Sequence, residues 1–121
     1  VVKALLDTNV VLDYLKGIEP AEKEFSRYEN IAISIVTRIE VLVGVTQNIE
    51  SEVRTLLDGM VTVQLDADVA ERAIVLRKTR RLKLADAIIW ASAQVQDRLL
   101  VTRDIKDFPA DDPGVRVPYE L

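Results

Sequence analysis

Short apolar, β-rich runs stand at residues 1–6 (VVKALL), 31–34 (IAIS), 61–65 (VTVQL) and 99–102 (LLVT), and helix-length chain separates each from the next. Strands that alternate with helices argue for the α/β class, a mostly parallel central sheet flanked by helices on both faces. A chain of 121 residues is sized for one domain, residues 1–121, built on one core. In a sheet of this kind, functional side chains gather just beyond the C-terminal ends of the strands.

Between the runs, the spacing predicts helices over Thr8–Lys16, closed by Gly17, and from Pro20 to about Tyr28. Residues 35–47 suit a helix by length, although their Ile and Val also suit a strand. Helices follow over 50–58 and to about Arg81, the latter capped by Asp66 or Asp68, with Val69, Ala73 and Leu76 at helical spacing. The segment Leu84–Asp97 is apolar nearly all round, which predicts burial against the sheet or in a subunit interface, and Trp90 belongs to that apolar set. A loop over 104–114 carries two prolines, and VRV at 115–117 is positioned to close the sheet.

The chain has no cysteine and no histidine, which removes disulfides, Cys/His zinc sites, thiol nucleophiles, Ser-His-Asp triads and imidazole bases together. Any chemistry falls to carboxylates, hydroxyls, amines or a recruited ion. The net charge is −4, so nucleic-acid binding would need a local basic patch. No apolar stretch reaches the ~18–20 residues of a membrane helix. Nor does a basic-then-apolar leader open the sequence, so a cytoplasmic protein without membrane contact is expected.

Acids occupy the positions where function is expected. Asp7 follows the first strand, Asp104 follows LLVT, Asp86 opens the apolar helix, and Glu40 lies within the 35–47 segment. Ordinary roles are open to them: Asp7 and Asp86 suit a helix start, and Asp104 suits a loop that binds its own backbone. Glu40 shares a helical stripe with Thr37, Gly44 and Gln47, opposite Arg38, on a segment expected to be mostly buried. Brought together, such carboxylates repel one another unless protons or cations neutralise them. All-oxygen ligation suits a hard cation, Mg²⁺ or Mn²⁺, and no EF-hand pattern favours calcium. Such an ion supplies the charge that activates water for phosphodiester hydrolysis without an imidazole.

Four ordered blocks, LLDTNVVLDYL, SIVTRIEVLVG (34–44), KLADAIIWASA (83–93) and LLVTRDIKDF (99–108), resemble PIN-domain ribonucleases, and more narrowly the VapC-type toxins of type II toxin–antitoxin pairs. The resemblance runs over nearly the whole chain. It implies a metal-dependent endoribonuclease whose catalytic and Mg²⁺- or Mn²⁺-binding acids are Asp7, Glu40, Asp86 and Asp104. Asp107 is a second acid of the last block, and Asp104 and Asp107 compete for the fourth place. Thr8, Asn9 and Thr102 match polar positions that support the site by hydrogen bonding. The same resemblance implies an RNA substrate, a homodimer and a cognate VapB-type antitoxin.

Arg77, Lys78, Arg80, Arg81 and Lys83 put five cations just ahead of Asp86, where they can guide RNA phosphates or simply face solvent at a helix end. The bottom-up case for self-association is the apolar surplus on the 84–97 helix. The rival readings are a non-catalytic PIN-like scaffold and a receiver-like signalling module. The second fits poorly, because Asp7 has no adjacent acid and Lys106 lies in a loop.

Overall fold

The computed structural model describes residues 2–121; Val1, included in the first predicted strand, lies outside the described residues. The strands are β1 (Lys3–Leu6), β2 (Asn30–Ser34), β3 (Val61–Val63), β4 (Leu99–Val101) and β5 (Val115–Arg116). They form one sheet in the order β3-β2-β1-β4-β5, and every pairing is parallel. The chain winds outward from β1 through β2 to β3, then returns to the other side of β1 with β4 and β5. The direction of winding therefore reverses between β1 and β4. A crevice at such a switch point is where open α/β sheets place their ligands.

The helices are α1 (Thr8–Leu15), α2 (Glu19–Ser26), α3 (Ile35–Gly44), α4 (Glu50–Asp58), α5 (Ala67–Arg80) and α6 (Leu84–Val95). Side chains alternate across the sheet with the period of two that a strand imposes. Leu5, Ala32, Val63 and Leu100 point to one face, where α5 and α6 cover them through Val69, Ala73, Leu76, Ile89 and Trp90. Ala4, Leu6, Ile33 and Val101 point to the other, against Val10 and Val11 of α1, Val41 of α3 and Val53 and Leu57 of α4. Fully burying an aliphatic side chain of this size contributes about 1.5–3 kcal/mol, so both faces are needed to hold the sheet.

Helix ends follow local chemistry. Asp7, Ser34 and Asp66 cap α1, α3 and α5 with side-chain oxygens that accept from backbone N–H groups, so Asp66, not Asp68, is the α5 cap. Gly17 takes φ +76 just past the end of α1, a left-handed conformation that glycine enters without strain. The 35–47 segment is helical but stops at Gly44, so Gln47 falls beyond it. It is also less buried than expected: only Thr37 and Val41 are fully enclosed, while Ile39 and Val43 face out. Conversely, α6 lies in the core, and Trp90 is 1% exposed. Most of the apolar surplus on this helix is consumed inside the monomer, while Leu84 and Val95 at its two ends stay exposed.

Candidate metal centre

Asp7 reaches the C-terminal rim because β1 ends one residue before it, and its N–H still bonds to Val101 O at 2.9 Å, the last rung between β1 and β4. The chain then turns directly into α1. One carboxylate oxygen accepts from the Thr8 N–H at 2.8 Å, and the other accepts from the Thr102 hydroxyl at 2.7 Å. Helix capping and site formation are thus two uses of one side chain. Thr102 lies just past β4, fully buried, and its hydroxyl oxygen also accepts from the Asp104 N–H at 3.0 Å. That single hydroxyl couples the acid after β1 to the acid after β4.

Asp104 organises the loop that follows. Its Oδ1 accepts from the N–H groups of Lys106 at 3.0 Å and Asp107 at 3.2 Å, a tight turn that carries Asp107 back towards the rim. Phe108 then anchors the loop in the core, edge-on to Trp90 with ring centroids 5.7 Å apart. Asp86, in the first turn of α6, completes the group: oxygen atoms of Asp86, Asp104 and Asp107 lie within 4.8 Å of one another. Both fourth-place candidates therefore belong to the same cluster.

Burial raises the Asp7 carboxyl to about 6; its two hydrogen bonds oppose the rise, and the charges of Asp104 and Glu40 add to it. Asp86 is also raised to about 6, by burial first and then by Asp7, Asp107 and Asp104, with Lys83 opposing. The mutual repulsion identifies these acids as one electrostatic unit. Glu40 stands at its edge. It is exposed on α3, and its Oε1 accepts from the Thr8 hydroxyl at 2.6 Å, while that hydroxyl lies 3.0 Å from Thr37 Oγ1. Glu40 is thus tied to the residue beside Asp7, and both Glu40 and Asp7 lie outside the tight three-acid cluster. Arg38 turns away to Asp58 at 2.9 Å.

Such a cluster fits a hard divalent cation: every available ligand atom is oxygen, and burial, with repulsion added to it, raises the Asp7 and Asp86 carboxyls that a cation would neutralise. Among the described residues, no ion pair reaches Asp7, Glu40, Asp86, Asp104 or Asp107. An independent likeness points the same way. The PIN domain family model matches residues 4–110.

The chain belongs to the PIN-domain family. Similar in structure to this PIN domain over 98% of its length and 100% of the other chain is a toxin-antitoxin complex from Klebsiella pneumoniae, with 40% identity and a TM-score of 0.93. FitAcB from Neisseria gonorrhoeae is 24% identical over 98% of this chain and 99% of that one, with a TM-score of 0.79. VapBC2 from Rickettsia felis, bound to a DNA fragment from its promoter, is 20% identical over 93% and 94%, with a TM-score of 0.77. The last two likenesses are of fold. Comparison with curated proteins gives no match.

The remaining residues singled out in the sequence divide. Asn9 Oδ1 accepts from the Arg103 N–H at 3.3 Å, bracing the loop before Asp104. Arg77, Lys78, Arg80, Arg81 and Lys83 are all exposed. The first three lie in the last turn of α5, where cations complement the helix dipole, and Arg80 also stacks 4.9 Å from the Trp90 ring centroid. Lys83, immediately before α6, is the one whose charge acts on Asp86. A cavity of about 980 Å³ lies at the opposite rim, lined by Lys3, Arg72, Arg98 and Asp112 among others, and includes none of the acids.

Sequence reasoning missed the partners of Arg103. Its guanidinium grips Asp13 through two bonds, at 2.7 and 3.2 Å, and the Tyr119 hydroxyl donates to the same carboxylate at 2.8 Å. A signal was available: Asp13 stands three residues after Val10, on the buried side of an apolar helix, where an unpaired acid is costly.

Proposed function

We propose that this PIN domain, residues 1–121, is a divalent-metal-dependent endoribonuclease acting in the cytoplasm as the toxin of a type II toxin–antitoxin pair. The observation that carries the reading is the convergence of Asp86, Asp104 and Asp107 within 4.8 Å, beside buried Asp7, at the sheet's switch point and without an ion-paired cation. When bound, Mg²⁺ or Mn²⁺ supplies the positive charge that lets water attack a phosphodiester near neutral pH.

The protein's own groups divide the remaining work. Asp7, Asp86, Asp104 and Asp107 would hold the ion. Thr102 orients Asp7 and the Asp104 backbone together, and Asn9 steadies the loop between them. Glu40, positioned by Thr8, faces the substrate side as the outer acid of the catalytic set. Lys83 stands beside Asp86 and offers a cation to an RNA phosphate, with Arg77, Lys78, Arg80 and Arg81 extending the path along the end of α5. Hydrolysis would form a bond from the water oxygen to phosphorus, break the phosphorus–oxygen bond to the leaving nucleotide, and pass a proton of that water to the departing oxygen.

An antitoxin partner is supported by the Klebsiella pneumoniae likeness, described as a toxin-antitoxin complex, while the VapB type of that antitoxin and a homodimer follow from the sequence resemblance. Ile39 and Val43, 56% and 80% exposed on the helix that carries Glu40, supply apolar surface for association.

The test is cleavage of a mixed RNA substrate by purified, antitoxin-free protein with Mg²⁺ or Mn²⁺, with chelator, and by Asp7→Asn. Metal-dependent cutting that disappears in the variant is expected. A folded protein that cuts no RNA with either metal would instead favour a non-catalytic binding module.

A further inference from the structure

The loop from Thr102 to Asp107 carries two of the proposed ion-binding acids, yet it belongs to no strand or helix. Thr102 holds its beginning through its hydroxyl on Asp7 and its N–H on Arg116 O at 3.0 Å, and Asn9 through one bond to the Arg103 N–H. A further attachment is the side chain of Arg103, the residue between Thr102 and Asp104. Nε and Nη2 of Arg103 meet the two oxygens of Asp13 at 2.7 and 3.2 Å, the paired geometry that fixes a guanidinium in orientation as well as position. Asp13 is 2% exposed on α1. Its Oδ2 also accepts from the hydroxyl of Tyr119, in the C-terminal segment beyond β5.

Three residues of the α1 strip therefore act on one loop: Asp7 through Thr102, Asn9 through the Arg103 backbone, and Asp13 through the Arg103 side chain. We propose that Tyr119, Asp13 and Arg103 form a positioning latch that sets the Asp104–Asp107 turn in its ion-binding geometry, making the C-terminal segment a determinant of metal affinity. None of the three touches the ion or substrate. They act through the backbone that follows Arg103, where Asp104 N–H meets the Thr102 hydroxyl at 3.0 Å.

The proposal rests on the metal-dependent reading above, and two measurements separate their failures. The first is calorimetric Mn²⁺ affinity for wild type, Arg103→Gln, Arg103→Lys, Tyr119→Phe and the double variant Asp13→Asn/Arg103→Gln. Outer groups that orient ligands typically tune metal affinity by about 10–100-fold. Arg103→Gln is expected to bind Mn²⁺ about 10-fold or more weakly, Tyr119→Phe a few-fold more weakly, and Arg103→Lys to recover only part of the loss. The double variant leaves no buried charge without its partner, so it keeps the question open to measurement if Arg103→Gln does not fold.

The second measurement is amide hydrogen exchange of residues 103–107 without metal, compared with exchange in β1 and α6. Faster exchange confined to the loop in Tyr119→Phe and the double variant supports the latch even if wild type binds no Mn²⁺, a result that would count against the metal reading alone. Unchanged loop exchange, or folded variants that bind Mn²⁺ as tightly as a Mn²⁺-binding wild type, overturns the latch.

Discussion

Asp13 and Glu24 are buried as deeply as Asp7, at 2%, 3% and 5% exposure, yet the fold treats them in opposite ways. Asp13 receives two bonds from Arg103 and one from the Tyr119 hydroxyl. Glu24 receives the same set from Arg116, at 2.7 and 3.0 Å, and from the Tyr28 hydroxyl at 2.6 Å. Burial alone would raise Glu24, but the bonds from Arg116 and Tyr28 and the charges of Arg116 and Arg27 bring it below its ordinary value. Asp7 has only a hydroxyl and a backbone N–H, and burial lifts it to about 6. Among the described residues, Asp13 and Glu24 are paired with arginines and Asp7 with no cation. On the proposed reading, the difference separates acids that serve the fold from acids that would hold an external cation.

The largest effects should come from removing site charges. Asp7→Asn, Asp86→Asn or Glu40→Gln is expected to reduce metal-dependent RNA cleavage by about 100-fold or more, since a lost electrostatic contributor of this kind costs roughly that much. Single-turnover assays with the purified variants check it. Near-wild-type rates from all three would erase the distinction between the two kinds of acid.

Stability should move in opposite directions for the two classes. Arg116→Gln removes the paired guanidinium from Glu24, leaving Arg27 at 3.7 Å as its remaining cation, and is expected to destabilise the protein by about 1–3 kcal/mol. Asp7→Asn relieves desolvation and repulsion, and is expected to stabilise the metal-free protein by about 1–3 kcal/mol near pH 7.5. Urea denaturation of both variants beside wild type supplies the comparison.

The pH dependence sharpens it further. Because the folded pKa of Asp7 is raised above its unfolded value, its stabilising contribution is complete below about pH 4 and is lost as pH rises through about 6. The advantage of Asp7→Asn over metal-free wild type should therefore be small near pH 4 and reach its plateau above about pH 7. Glu24, lowered when folded, behaves inversely: its contribution is present above the unfolded value and lost in acid. Thermal melts across this range distinguish the two signs. The smallest expected effect is that of Lys83→Ala, a few-fold weaker RNA binding with a shallower salt dependence, readable by fluorescence anisotropy at several salt concentrations.

The local sequence made the frame legible because parallel strands announce themselves as short apolar runs. Asp7 and Asp104 could be placed on one rim from their positions after such runs. Helical period likewise predicted that Glu40 and Thr37 would share a face, and the Thr8 hydroxyl meets both. What period could not resolve was distance between elements. Tyr119 lies 106 residues from Asp13, and no local pattern links the C-terminal segment to α1. Nor could composition decide whether α6 was apolar for the core or for a partner; only its packing between α5 and the sheet assigns Trp90 and its neighbours to the core. The basic run was visible as well, but cations at a helix end look alike in sequence whether they meet the helix dipole or RNA.

The most direct test of the central claim, that the unpaired rim acids hold a divalent cation, is Mn²⁺ titration by calorimetry near pH 7.5 on wild type and Asp7→Asn in parallel. Saturable binding to wild type that is lost or strongly weakened in Asp7→Asn is expected. Absence of binding to folded wild type, or equal affinity in the variant, would contradict it.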